Sequence, residues 1–75
     1  MEERIKKVMA NVFGIGPTTI DDGSSPDTIE TWDSLHHMQM ILALEQEFGV
    51  EFDDMKIAEM QSYPLVRLTL QELLG

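Results

Sequence analysis

The chain has 75 residues, enough for one small domain and no more, and it carries a net charge of −9 with no cysteine. A disulfide framework and a cysteine metal site are therefore excluded. The acidic balance also repels nucleic acid phosphates and favours basic protein surfaces as partners. Lys56 and Arg67 are the only basic residues after Lys7.

Glu2 to Phe13 reads as a first helix. Ile5, Val8, Met9, Val12 and Phe13 follow the i, i+3, i+4, i+7, i+8 stripe of an amphipathic helix. Glu2 and Glu3 suit its positive end, and Gly14 stops it. The N-terminus lacks the apolar run of a signal peptide, and no stretch is long and apolar enough to span a membrane. The expectation is a soluble, monomeric protein of the cytoplasm or an equivalent compartment, without membrane insertion.

Ile15 to Trp32 is a long connection. Gly16-Pro17 and Gly23-Ser24-Ser25-Pro26 break any helix there. A loop this long in a small domain is functional or pinned by its own side chains, here Ile15, Ile20, Ile29 and Trp32. Its length lets the next helix run roughly antiparallel to the first, or tilted.

A central helix then starts at Asp33 or Ser34, either of which can serve as N-cap, and closes at Gly49. Met38, Met40, Ile41, Leu44 and Phe48 are assigned to a broad, core-sized arc. Leu35 and Leu42 form a narrow stripe on the other side, flanked by Gln39 and Gln46. That stripe is either buried in a four-helix protein or an exposed patch for a partner. An acidic loop follows, anchored by Val50 and Phe52. Met55 to Met60 reads as a short helix capped by Asp53 or Asp54, with Met55, Ile57 and Met60 partly inward. Ser62-Tyr63-Pro64 reads as the start of a last helix, with Val66, Leu70, Leu73 and Leu74 as its core face. The predicted fold is an all-α, small four-helix bundle, three main helices and one short, with a long first loop, forming one domain over residues 1–75.

Three chemistries can be weighed on these residues. A serine hydrolase at Ser34 needs a base and an orienting group. His37 lies three residues on, but no G-x-S-x-G elbow surrounds the serine, and so short a chain leaves little room for a pocket. His36 and His37 then read as first-turn residues with solvent or cap contacts. A metal site is disfavoured too: Asp21-Asp22 and Asp53-Asp54 form no calcium-loop pattern, and adjacent histidines point to different helix faces. The third reading makes Ser34 an attachment point for a phosphoryl-linked group, whose charge suits a helix N-terminus. Its plain alternative is a serine that only caps the helix of an unmodified interaction module.

Asp33-Ser34-Leu35, then Met38, Ile41 and Leu44, then Glu45-Gln46-Glu47-Phe48-Gly49-Val50 before an acidic loop and short helix, together resemble the acyl carrier protein family. The resemblance runs from about Glu2 to Leu74. It implies a four-helix bundle with an apolar cavity, for which Ile41, Leu44, Phe48, Ile57 and Val66 are the expected lining. It implies that Ser34 receives 4'-phosphopantetheine from coenzyme A through a separate, magnesium-using phosphopantetheinyl transferase. Asp33 and Leu35 complete the attachment motif. The thiol would carry acyl groups as thioesters between loading enzymes, synthases or acyltransferases, and the protein itself would not be an enzyme. Gln39, Leu42 and Gln46, with Leu35, are the expected docking residues. Where family members often have Leu-Gly-x before Asp-Ser, this chain has Glu30-Thr31-Trp32, and His36, Gln39 and Gln46 stand where acids are common. These departures point to a dedicated lipid, polyketide or other secondary pathway, with an aminoacyl or peptidyl carrier as the alternative.

Overall fold

The computed structural model describes residues 1–75 and contains four α-helices and no strand. They are α1 (Glu2–Phe13), α2 (Ser34–Phe48), α3 (Asp54–Glu59) and α4 (Tyr63–Leu74), with a 3₁₀ turn at Pro17–Thr19 in the first loop. No helix is long and apolar enough to cross a membrane.

Local chemistry sets most of the boundaries. Gly14 and Gly49 close α1 and α2 with φ of 69° and 65°, a region a side chain disfavours. Asp33, Asp53 and Ser62 each accept a backbone N–H from the first turn of the helix that follows them.

Side-chain links fix how the helices run. Arg4, near the start of α1, donates to the Glu47 carboxylate and backbone carbonyl, both at 2.9 Å, near the end of α2. Thr31, just before α2, donates to the Phe13 carbonyl at the end of α1. The two helices are therefore antiparallel, and the long loop makes the crossing. Tyr63 and Arg67 of α4 both reach Glu2, so α1 and α4 are joined at their starts. Arg67 also bonds Asp22 and so fastens the loop to α4.

Ile5, Met9, Ala10 and Phe13 of α1 meet Met40, Ile41 and Leu44 of α2, with Val66 and Leu70 of α4 completing the core. Burial of this apolar surface is the main favourable term for the fold. The loop is pinned as expected: Ile20, Ile29 and Trp32 are buried, and Ile15 packs against the core from the edge.

Four sequence assignments are corrected. Met38 is exposed, because it stands three residues from Leu35 and four from Leu42 and shares their outward face. Met55, in the first turn of α3, points to solvent, while Met60 just past the helix is buried. Leu73 and Leu74 are exposed, since the last turn of α4 carries no buried residue. Tyr63 takes their place in the core: with Val66 and Leu70 it makes an i, i+3, i+7 face. Burial pushes the Tyr63 hydroxyl up to about 12, and its bond to Glu2 adds to the shift.

Candidate functional site

The start of α2 brings the predicted attachment motif to the surface. Asp33 has extended backbone and acts as N-cap, its Oδ1 accepting the His36 backbone N–H at 2.8 Å. The same oxygen lies 2.7 Å from His36 Nδ1. These bonds, the backbone one foremost, hold the Asp33 carboxyl below its ordinary range.

With Asp33 in the cap, Ser34 is the first helical residue and is exposed. The reading of Ser34 as a capping serine is thereby overturned. The hydroxyl is left out of the cap, on an exposed residue.

His37 also differs from expectation. It is buried, at 7% relative exposure. Trp32 Nε1 donates to its Nδ1 at 3.0 Å, and its Nε2 lies 2.8 Å from the Ile57 carbonyl oxygen. An indole N–H only donates, so Nδ1 accepts and Nε2 carries the proton. The imidazole is then a neutral bridge from the first loop through α2 to α3. Trp32 stacks on Phe13 with ring centroids 5.0 Å apart, which extends the bridge to α1. Both nitrogens are committed, which removes His37 as a base for Ser34. The sequence offered one signal for this arrangement: a Trp five residues before a His at the start of an apolar helix, with each needing a partner when buried.

The outward face of α2 carries Leu35, Met38 and Leu42, at 64%, 44% and 57% exposure, with Gln39 and Gln46 also exposed. Exposed apolar side chains grouped this way mark interaction surfaces more often than isolated ones do. Of the predicted cavity residues, Ile41, Leu44 and Phe48 lie on the other side of α2, Ile57 on α3 and Val66 on α4. Ile41, Leu44 and Val66 are fully packed core, while Phe48 and Ile57 pack against it from the edge. The clefts open at the surface are lined by other residues, and one of them, of about 340 Å³, lies beside Ser34.

The site is thus a capped helix start that leaves an exposed serine beside an ionised aspartate, on a small acidic helical bundle. No family model matches the chain. Two curated relatives, each named acyl carrier protein, come from Rhodopseudomonas palustris strains BisB18 and HaA2. Each is 36% identical over 52 residues, which is 69% of this chain and 66% of the relative. The chain belongs to the acyl carrier protein family.

Proposed function

We propose that the chain is a non-catalytic carrier that holds acyl intermediates as thioesters on a 4'-phosphopantetheine arm attached to Ser34. The observation that carries this reading is the Ser34 hydroxyl, exposed at the first helical position and released from capping by Asp33. The residues present fit such a group. The hydroxyl is accessible, and the first turn of α2 offers the positive end of a helix to a phosphodiester. Coenzyme A would supply the arm: Ser34 Oγ would lose its proton and bond to the pantetheine-side phosphorus, the pyrophosphate link would break, and the other phosphate would leave as the 5'-phosphate of adenosine 3',5'-bisphosphate. The thiol at the far end of the arm provides the thioester chemistry.

The partners in this reading are a phosphopantetheinyl transferase and acyl-loading, synthase or acyltransferase enzymes. They would dock on Leu35, Leu42, Gln39 and Gln46, which share the outward face of α2 beside Ser34. Two neutral amides on that face weaken steering by charge and leave recognition to the leucines, which supports service in a dedicated pathway. Ile41, Leu44, Phe48, Ile57 and Val66 would part to shelter an acyl chain.

Intact mass after incubation with coenzyme A and a broad-specificity transferase tests the assignment. Wild type gains one arm and Ser34→Ala gains none. Helicity is unchanged in the variant because Asp33 holds the cap. Modification of Ser34→Ala would move the site elsewhere, and a wild type that never gains mass favours the unmodified interaction module.

A further inference from the structure

The cleft beside Ser34 is walled by Pro26, Trp32, Asp33, Ser34, His37, Met38 and Gln61. Its volume of about 340 Å³ lies at the lower end of the range for small-molecule sites. It draws on the first loop, the start of α2 and the link between α3 and α4.

We propose that this cleft seats the proximal half of the prosthetic arm, from its gem-dimethyl group to its first amide. The inference rests on the attachment at Ser34 proposed above. Three features support it. First, Ser34 is itself part of the wall, so a group on its Oγ is delivered covalently and meets the cleft at high effective concentration. Second, the walls match that segment chemically. Pro26 and Met38 offer apolar surface for two methyl groups, and the exposed Gln61 carboxamide can bond to an amide. Third, the inner wall is already set. Trp32 and His37 are locked to each other and to the Ile57 carbonyl, and Trp32 is stacked on Phe13, so seating the arm orders little that was free.

Charge decides which part of the arm enters. The ionised Asp33 carboxylate, next to Ser34 in the cleft wall, repels the phosphodiester and keeps it out of the cleft. The neutral segment that follows is the one that fits inside. The larger cleft of about 730 Å³ is lined by loop residues, Ile15 and Ile29 together with polar and acidic ones such as Asp21 and Glu30, and does not include Ser34.

The test uses the full chain, labelled with ¹³C and ¹⁵N and loaded with an unlabelled arm from coenzyme A. Mass spectrometry first establishes loading. Isotope-filtered NOE spectra then show contacts from the arm's geminal methyl protons to the Met38 terminal methyl and the Trp32 indole protons. Gln61→Ala and Met38→Ser, both at exposed positions, weaken or remove those contacts while leaving the backbone spectrum of the bundle intact. A loaded protein with no such contacts, and with arm resonances as sharp as those of free pantetheine, overturns the proposal while attachment stands. A wild type that takes no arm overturns the attachment and this inference together.

Discussion

His37→Phe tests the bridge between the loop, α2 and α3 most directly. Phenylalanine keeps a planar ring of similar size but can accept nothing from Trp32 and donate nothing to Ile57. Two polar groups, the buried Trp32 N–H and the part-buried Ile57 carbonyl, then lose the partners they now hold at 3.0 and 2.8 Å. Each orphaned group costs about 1–3 kcal/mol. The greater apolarity of the phenyl ring returns about 1–2 kcal/mol. A net loss of ~1–3 kcal/mol is expected, because waters replace part of what is lost at the Ile57 side. For a chain of 75 residues the whole folding free energy is on the order of 4–11 kcal/mol, so this loss is easily read. The assay is urea denaturation followed by far-UV circular dichroism, with hydrogen exchange to locate the weakness. The midpoint should fall, and exchange should speed up first in α3, which contributes no fully buried side chain of its own. Trp32→Phe removes the other side of one bond, so the double variant should lose less than the sum of the two singles. A His37→Phe protein as stable as wild type, with additive double-variant behaviour, would refute the bridge.

Phe48→Ala should destabilise by about 1–3 kcal/mol in chemical denaturation, below the range for a fully buried ring, because Phe48 sits at the core edge under the Arg4 guanidinium, 4.6 Å from the ring centre; a loss as large as for a core leucine would place it inside. Asp33 has a carboxyl held below its ordinary value of 3.8, so its ionised form stabilises the start of α2 above that pH, and the contribution disappears as pH falls through the folded value. An NMR titration from about pH 5 downward should show the His36 amide moving upfield as the bond weakens, and Asp33→Asn should abolish that step. An unmoved amide would mean that the cap does not depend on the charge. Leu42 is 57% exposed, so Leu42→Asp should leave the circular dichroism spectrum unchanged while slowing acyl loading by a cognate enzyme. Gln39→Glu with Gln46→Glu should raise loading by housekeeping fatty-acid enzymes, most at low salt, and a wild type already as good a substrate as a housekeeping carrier would refute the dedicated-pathway reading.

What the sequence determined by itself was local. The limits of α1 and α2 follow from an apolar stripe that ends in a glycine able to turn left-handed, and those signals lie within a few residues of what they control. Asp53 and Ser62 announce α3 and α4 in the same way, and Asp33-Ser34-Leu35 marks the candidate site at the start of α2. Only the tertiary structure decided which side chains end up inside where periodicity is ambiguous. Met38 stands by spacing with Leu35 and Leu42, and only the packing shows that no other element covers that side of α2. Tyr63 goes inward because Glu2, 61 residues away in the chain, receives its hydroxyl. The choice between Asp33 and Ser34 as cap was likewise open in the sequence, since either oxygen can accept the first-turn N–H; the geometry gives that bond to Asp33 and leaves the serine free. His37 is the clearest case. Its burial is possible only where Trp32 and the Ile57 carbonyl converge on its two nitrogens, and that convergence belongs to the packing of three elements, which no spacing within one helix encodes.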